Sequence, residues 1–475
     1  MTRLVLALAC VSIAVTPRLA AIGQGGLARH PARAPISHQR QARQIDSLAR
    51  EAVTSRRLAS VSIGVVQGPD TILLRAWGDA SHRPTRPATP ATVYRLASLT
   101  KQFTSAIILQ LIAEQRLALT DTLGKFLPWV PASWRGVTIQ QLLNHTSGIP
   151  SYTSLGAPWV ARWAEDMSPD TIIALTAGRP LDFAPGSGWR YDNTGYVILG
   201  RLIELLDNRP YAASVASRIA QPLGLTTLRY CPTVPIPPRD AVGTEAAPGK
   251  TFRPAAALSL TQPFAAGALC ASAGELIRWN VALHGGHVVT APLYLRMTTP
   301  EGAARTTHYG FGIGRDSTGG RLRYTHSGGI NGFATSNSFW PDSALSVVVL
   351  ANTEGNEVDA LAEQIRRVLM GEPLVPRPKP IALTRAQLSA HAGRYELTLP
   401  SRTIGLTVRV AGAYLLATFD GDSPTTMVPI AAHRFMSEQD ANTQLVFALT
   451  DGHVTGITLE SGPQKFTGRR VGDAP

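Results

Sequence analysis

Lysine is scarce in this chain of 475 residues, and long basic runs are absent from the sequence. Of 45 basic residues only five are lysines, so arginine carries most of the net charge of +13. No run of five or more basic residues occurs, and no basic stripe is interleaved with aromatic residues. Because no nucleic-acid recognition motif accompanies the charge, we expect no nucleic-acid partner. The charge is instead compatible with association with the anionic polymers of a cell wall.

Apolar runs are also few, and the clearest one lies near the N-terminus. Arg3 precedes an apolar stretch over residues 4–15, and the small residues Ala20 and Ala21 follow it. This pattern predicts a signal peptide over residues 1–22, and hence export to the periplasm or the medium. The stretch is too short to span a bilayer, so no integral membrane segment is expected after cleavage.

Cysteine is nearly missing, with three residues in the whole chain. Cys10 lies inside the predicted signal peptide, so the exported protein would keep only Cys231 and Cys270. In an oxidising compartment these two residues can form a disulfide. Two separate thiols, buried as small apolar side chains, fit the sequence equally well.

The chain is longer than one compact core usually allows, and its composition changes along its length. We predict linkers over residues 23–40 and over the proline-rich residues 371–382. Residues 41–370 between them form the larger predicted domain. Residues 383–475 show short alternating strands, which are typical of a small β-barrel or sandwich.

Helical spacing occupies the middle of residues 41–370, and strand patterns lie towards both ends. The simplest packing is an α+β fold, in which one antiparallel sheet is flanked by helices and accompanied by an all-helical subdomain. Predicted helices begin near residue 41 and cover residues 103–119, 139–143, 196–206, 271–283 and 358–369. Predicted strands cover residues 60–67, 71–77, 309–314, 322–326, 333–340, 345–351, 404–410, 414–419, 445–449 and 454–459.

Ser98 and Lys101 are the first candidate functional pair. A serine is a weak nucleophile unless a neighbouring base takes its proton. At the start of a helix, residues three apart lie on one face, so these two side chains can touch. A lysine buried among apolar residues can lose its proton near neutral pH. Without further motifs, a capping serine and a solvated lysine explain the same residues.

Tyr191-Asp192-Asn193 is the second candidate motif, in a loop before a predicted helix. A tyrosine hydroxyl beside an ammonium group can be shifted towards the phenolate and serve as a general base. The Asn193 amide can bond both to a lysine and to a substrate carbonyl. A polar loop tyrosine and a turn asparagine are the simpler alternative.

His326-Ser327-Gly328-Gly329 is the third candidate motif, at the end of a predicted strand. Glycines there let the backbone approach a substrate closely. The N–H groups of Gly329 and Ser98 are candidates for an oxyanion hole. A glycine turn after a strand is the structural alternative.

The order and spacing of these three motifs resembles the serine β-lactamase and penicillin-binding superfamily. The resemblance is strongest to the branch of class C β-lactamases, D-Ala-D-Ala carboxypeptidases, D-aminopeptidases and related esterases. It covers residues 46–370 and includes the segments LLNHTSG (142–148), QPLGL (221–225) and AAG (265–267). The C-terminal domain resembles the lipocalin-like β domain that is common in this branch.

The resemblance implies a β-lactamase-like serine hydrolase that acts through an acyl-enzyme on esters, D-amino peptides or amides, or β-lactams. Ser98 would be the nucleophile, Lys101 its base and Tyr191 the general acid/base. Asn193 would orient Lys101 and the substrate, which would be a small molecule or a peptide. His145 would be structural, and no metal or cofactor is implied. The strand that lines the site would be formed by His326, Ser327, Gly328 and Gly329.

The sequence departs from the pattern of its relatives at two points. His326 stands where sister enzymes carry a lysine, and a histidine is mostly neutral at pH 7. We therefore expect weaker anchoring of a substrate carboxylate. No equivalent of the deacylating glutamate of class A enzymes is assigned, which leaves deacylation to Tyr191 and Lys101. The alternatives are a non-catalytic penicillin-recognising or cell-wall-binding sensor, and a C-terminal interaction module.

Overall fold

The computed structural model describes residues 37–232, 236–247, 251–398, 403–420, 424–438, 441–461 and 464–473. The predicted signal peptide and most of the first linker lie outside these ranges. The helices are α1 (His38–Thr54), α2 (Thr100–Ala113), α3 (Leu123–Phe126), α4 (Ile139–Leu143), α5 (Ala157–Val160), α6 (Pro169–Ala177), α7 (Asn193–Asp207), α8 (Tyr211–Val215), α9 (Phe264–Gly267), α10 (Ala273–His284), α11 (Ala291–Thr298), α12 (Glu357–Leu369) and α13 (Arg385–Ser389).

The strands fall into one large sheet, two small sheets and a barrel. They are β1 (Ser60–Gln67), β2 (Asp70–His82), β3 (Thr85–Pro87), β4 (Tyr94–Arg95), β5 (Arg229–Tyr230), β6 (Thr244–Ala247), β7 (Thr251–Pro254), β8 (Leu269–Ala271), β9 (Gly314–Thr318), β10 (Arg321–Ile330), β11 (Phe333–Trp340), β12 (Leu345–Ala351), β13 (Gly393–Thr398), β14 (Thr403–Ala411), β15 (Tyr414–Phe419), β16 (Thr425–Ala431), β17 (Arg434–Ser437), β18 (Thr443–Thr450), β19 (His453–Ser461) and β20 (Gln464–Gly472).

A seven-stranded antiparallel sheet organises the larger part of the chain. Its order is β3-β2-β1-β12-β11-β10-β9, so strands from both ends of this part pair directly. Strand β12 is buried along its whole length because both of its faces are covered. Val347 and Val349 pack with α1 and α12, whereas Val348 and Leu350 pack with α2 and α10. Because successive side chains point to opposite faces of a sheet, a strand that is covered on both faces is apolar at nearly every residue.

Helix α2 lies at the centre of the helical part. Eleven of its fourteen residues are buried, as expected for a helix that is apolar on all sides. The main hydrophobic core includes four apolar residues of this helix, Ile107, Ile108, Leu109 and Leu111. Lys101 belongs to the first turn of this helix, so its ammonium group lies where there is little water.

The two cysteines lie beside the small sheet of β4, β8 and β5. Cys270 is in β8 opposite Arg229, and Cys231 follows directly after β5. The structure joins Cys231 and Cys270 in a disulfide, with their Cα atoms 5.4 Å apart. Of the two alternatives that the sequence left open, the structure therefore contains the disulfide.

The C-terminal strands β13 to β20 form a closed barrel in which each strand pairs with the next and β20 returns to β13. Its interior is filled with side chains, including Tyr395, Phe435 and Phe447, and Leu388 of α13 is buried among them. Arg377 ties the second linker to both parts, because it bonds to Glu357 of α12 at 2.8 Å and to the carbonyl of Glu438 at 2.6 Å. The predicted fold class is confirmed.

One predicted strand is wrong. Residues 309–314 form a tight turn, in which the N–H of Gly310 donates to the carbonyl of Ile313 at 2.7 Å. Gly312 has a φ of +70°, and a Cβ there would lie 2.7 Å from the carbonyl oxygen of Lys101. The glycines let this segment fold tightly against helix α2, which a strand could not do. Strand β9 begins only at Gly314.

The domain boundaries at residues 41, 371 and 383 stay predictions. No helix within the described ranges combines the length and the apolar character needed to cross a bilayer.

Candidate active site

Ser98 lies in a 3-10 turn over Ala97–Leu99 that leads directly into α2. Ala97 and Leu99 are buried, whereas Ser98 is partly exposed. Ala97 has a φ of +49°, a conformation that is unfavourable for a residue with a side chain. The turn packs tightly on Gly328, since a Cβ there would lie 2.6 Å from the Leu96 carbonyl oxygen. The backbone thus presents the Ser98 hydroxyl to the solvent.

Lys101 is fully buried next to Ser98. Its Nζ donates to Asn193 Oδ1 at 2.8 Å, to the Ala266 carbonyl at 2.9 Å and to Ser98 Oγ at 3.3 Å. It also lies over the rings of Tyr191 and Tyr196, at 4.7 and 5.3 Å from their centroids. Burial lowers the pKa of Lys101 to about 7, because the charged form loses its hydration. A neutral amine is therefore present at physiological pH and can accept the Ser98 proton.

The Tyr191-Asp192-Asn193 motif forms the start of helix α7. Asp192 caps the helix by accepting the N–H of Gly195 at 2.9 Å. This cap turns Asn193 towards Lys101, and the Asn193 amide also donates to Thr153 Oγ1 at 3.1 Å. The Asn193 backbone N–H donates to Ser151 Oγ at 3.1 Å. These bonds fix the amide oxygen that Lys101 uses.

The ionisation of Tyr191 differs from the sequence prediction of a phenolate-like tyrosine. Burial raises the pKa of Tyr191, and the Asp192 charge raises it further, although the Ser98 hydroxyl acts in the opposite direction. Within the described residues, the Tyr191 hydroxyl makes no hydrogen bond of good geometry. The neighbouring Lys101 has a pKa of about 7, so above this pH it carries little positive charge that could stabilise a phenolate. Tyr191 is therefore a neutral proton donor at rest.

Asp192 is a buried carboxylate of this motif for which the sequence predicted no role. Burial raises its pKa to about 7, while the N–H groups of Gly195 and Thr194 and the charge of Lys101 act against the shift. Its Oδ1 has no hydrogen-bond partner among the described residues. Asp192 and Lys101 thus change charge in the same pH range.

His326 lies inside strand β10, which continues to Ile330 and pairs with β11 across the whole motif. Its Nε2 lies 2.8 Å from the Tyr309 hydroxyl, and its Nδ1 lies 2.6 Å from the carbonyl of the next residue, Ser327. Since a carbonyl can only accept, Nδ1 carries the proton and Nε2 accepts from Tyr309. Burial lowers the pKa of His326 to about 4, and the nearby Lys101 charge contributes. The imidazole is neutral at physiological pH.

The remaining residues of this motif alternate along the strand. Gly328 is buried against the turn that carries Ser98, whereas Ser327 and Gly329 are exposed. The close packing of Gly328 on Leu96 and Ala97 brings strand β10 to the nucleophile. All eight predicted site residues therefore lie around the start of α2, from Ser98 and Lys101 through Tyr191 and Asn193 to the strand segment of His326.

His145 lies behind these residues in a cluster of rings. Its centroid is 4.3 Å from that of Tyr191 and 4.8 Å from that of Tyr309. Its Nδ1 accepts the backbone N–H of Asp192 at 3.1 Å. Burial holds its pKa well below the usual range. These contacts agree with the structural role that the resemblance implied.

Tyr309 is, with Asp192, a residue of the site to which the sequence patterns assign no role. It is buried, bonds to His326, and lies in the segment Tyr309-Gly310-Phe311-Gly312, which the sequence predicts as a strand. The signal was the pair of glycines, which is more typical of a turn than of a strand.

The fold and this arrangement define a serine hydrolase whose nucleophile is paired with a buried lysine. A family model described as Beta-lactamase matches residues 45–370, and the chain belongs to that family. It is 28% identical over 376 residues to a D-aminopeptidase of Brucella canis, in a match that covers 77% of this chain and 68% of the relative.

The fold also resembles solved structures, among them the following two. One is a D-stereospecific amidohydrolase from a Streptomyces species, with 27% identity, a TM-score of 0.57 and coverage of 66% of this chain and 94% of the other. The second is the octameric penicillin-binding protein homologue from Pyrococcus abyssi, with 22% identity and a TM-score of 0.63. That match covers 89% of this chain and 99% of the other, and it shows the fold alone.

Proposed function

We propose that this serine hydrolase cleaves amides and short peptides of D-amino acids, and short esters, through an acyl-enzyme on Ser98. The observation that carries the proposal is the neutral state of the site. His326 is uncharged and both of its nitrogens bond within the protein. Lys101 is largely uncharged above pH 7. None of the eight predicted site residues thus supplies a permanent cation for a substrate carboxylate.

This lack of charge separates the candidate substrates. Penicillins and cephalosporins carry a carboxylate close to the scissile bond, and a charged donor gives its strongest anchor. Amides and simple esters carry no such carboxylate, and in peptides of three or more residues the terminal carboxylate lies further from a scissile bond at the N-terminal end. The names of the relatives in Brucella and Streptomyces support the D-amino-acid class.

In the proposed reaction the site residues act one after another. The Lys101 amine takes the Ser98 proton while Oγ bonds to the carbonyl carbon. The N–H groups of Ser98 and Gly329 stabilise the oxyanion. When the C–N bond breaks, the proton passes from Lys101 through the Tyr191 hydroxyl to the leaving amine. Water then attacks the acyl-enzyme and gives its proton back to Ser98 by the same route.

A substrate panel tests the proposal. We expect kcat/KM for D-phenylalanine amide and p-nitrophenyl acetate to exceed that for nitrocefin by at least about tenfold, because the carboxylate of nitrocefin lacks a charged partner. L-Phenylalanine amide should be the slower enantiomer. In His326→Lys, the ratio of nitrocefin to ester turnover should rise. A nitrocefin value above those of all amides and esters would overturn the substrate class while leaving the hydrolase intact.

A non-catalytic sensor is the alternative function, and no residue favours it. Ser98, Lys101, Tyr191 and Asn193 are all present and in contact range of one another. A protein that had lost turnover would be expected to have lost at least one of them.

We further propose that the protein acts outside the cytoplasm, in the periplasm or the medium. The signal-like residues 1–22 and the disulfide between Cys231 and Cys270 support this location, since disulfides persist in oxidising compartments. N-terminal sequencing of exported protein should begin near residue 21, and thiol titration after denaturation should find no free thiol without reductant. An intact Met1 or two free thiols would contradict the proposal.

A further inference from the structure

A cavity lies apart from the eight predicted site residues. It has a volume of about 470 Å³ and is lined by residues that include Asp166, Glu204, Tyr211, Tyr230 and Phe264. None of the eight site residues lines it. This volume is within the range of small-molecule sites in proteins. Tyr211 of this cavity also contacts helix α2, because its hydroxyl and that of Thr104 lie 2.7 Å apart.

Three aromatic rings form a fixed apolar wall of this cavity. The centroid of Tyr211 is 5.1 Å from that of Phe264 and 6.4 Å from that of Tyr230, and the last two are 6.3 Å apart. The Tyr230 hydroxyl is bonded to the Leu260 carbonyl at 2.7 Å. Because both tyrosine hydroxyls are engaged with the protein, they hold the rings in place.

Two carboxylates face the same space from different elements. Asp166 precedes α6 and accepts the hydroxyl of Ser259. Glu204 lies in α7 and accepts the N–H of Tyr211 through Oε1 at 3.1 Å. Burial raises the pKa of Tyr230, and the charges of Glu204 and Asp166 add to the effect. Both carboxylates and Tyr230 line the same cavity.

The charge of the cavity contrasts with that of the whole chain. The chain carries a net charge of +13, yet no basic residue is among the described residues that line this cavity. The nearest counterion is Arg201, whose NH1 lies 3.6 Å from Glu204 Oε2. Arg201 also bonds to Asp170 at 3.0 Å, so it is shared between two carboxylates.

We infer that this cavity binds a small organic ammonium ion with an apolar body. Aromatic rings attract a cation through their electron-rich faces. The two carboxylates supply the opposite charge at the rim, and the rings bury the apolar part. An anionic ligand would be repelled by the two carboxylates. A purely polar ligand would leave the aromatic rings without an apolar partner. The inference is independent of the reaction proposed for Ser98.

Binding of benzyltrimethylammonium to the purified full chain, measured by titration calorimetry, tests the inference. We expect saturable binding that weakens by at least about fivefold in Asp166→Asn/Glu204→Gln, since both opposite charges beside the ligand are lost. Both substitutions keep an oxygen that can accept the bonds of Ser259 and Tyr211. Tyr230→Leu, which leaves the charge unchanged, should also weaken binding.

Asp170→Asn is the matched control. It removes a carboxylate from the same segment that also bonds to Arg201 but does not line the cavity, so its affinity should stay within about twofold of wild type. Protein whose Ser98 has been blocked by a fluorophosphonate should bind the probe as well as free protein does. The inference is wrong if binding is lost on this blocking, if the double variant binds like wild type, or if no binding is measured.

Discussion

Replacing Ser98 with alanine is expected to abolish covalent labelling by a fluorophosphonate and to reduce amide and ester hydrolysis by at least about three orders of magnitude. Ser98 is the partly exposed hydroxyl beside the buried Lys101 amine. Removing it takes away the atom that forms the acyl bond, and the remaining groups of a catalytic unit cannot replace it. Labelling followed by intact mass, together with kcat/KM, measures both effects.

The fold should survive this change. Ser98 is partly exposed, and its hydroxyl accepts a long hydrogen bond from Lys101 at 3.3 Å, so its loss leaves the hydrophobic core unchanged. Ser317→Ala is the matched control, because Ser317 is an exposed serine of strand β9, and it should label and turn over like wild type. If Ser98→Ala is folded by circular dichroism and keeps its hydrolytic rate, another nucleophile must be sought.

Local sequence patterns predicted the larger sheet well. Strands β1, β11 and β12 coincide with the predicted ranges 60–67, 333–340 and 345–351. Strand β12 is an apolar run bounded by turn residues, whereas β1 and β11 mix apolar residues with small polar ones and are bounded by turn residues in the same way. The pairing of β1 with β12 depends on contacts nearly 300 residues apart. The sequence alone suggested it only through the layer rule for strands from both ends of a domain.

The barrel was predicted only in part. Strands β14, β15, β18 and β19 were expected, whereas β13, β16, β17 and β20 were not. The last of these, QKFTGRRVG, is mostly polar and half-exposed, and β17 has only four residues. Such segments have no strong strand pattern of their own. They are strands because closing the barrel satisfies their backbone groups on both sides.

The site shows the same division between local and distant contacts. Ser98 and Lys101 were paired correctly by the spacing of a helix, but the placement of Tyr191 beside them came from the resemblance. The charge state of Tyr191 was predicted in the wrong direction, since the depth of burial is set by the rings around it. Tyr309 was missed because its segment forms a turn only against the backbone of Lys101.

Replacing Lys101 with methionine should abolish most of the activity and should also change how stability depends on pH. Activity should fall nearly as far as in Ser98→Ala, because Ser98 then keeps its proton. In wild type the labelling rate should rise as pH increases through about 7, where Lys101 loses its proton. Lys125→Met is the matched control, since Lys125 is a largely exposed lysine, and it should leave rate and pH profile unchanged.

The stability effect follows from the same lowered pKa. The pKa of Lys101 falls from its usual 10.5 to about 7 on folding, so between these values the unfolded chain binds a proton that the folded chain does not. The free-energy cost of burying Lys101 in the wild-type fold is therefore fully present below pH 7 and disappears as the pH approaches 10.5. The free energy of unfolding of Lys101→Met, minus that of wild type, should decrease by about 1.4 kcal/mol per pH unit between about pH 8 and 10.

Urea denaturation at several pH values measures this difference. Its absolute size depends on how well the acceptors left by Lys101, Asn193 Oδ1 and the Ala266 carbonyl, find new partners. Its slope with pH, above the range in which Asp192 titrates, depends on the Lys101 proton. A difference that stays constant with pH would mean that Lys101 keeps its ordinary pKa in the folded protein. The lysine could not then supply a neutral amine at pH 7, and Ser98 would need another base.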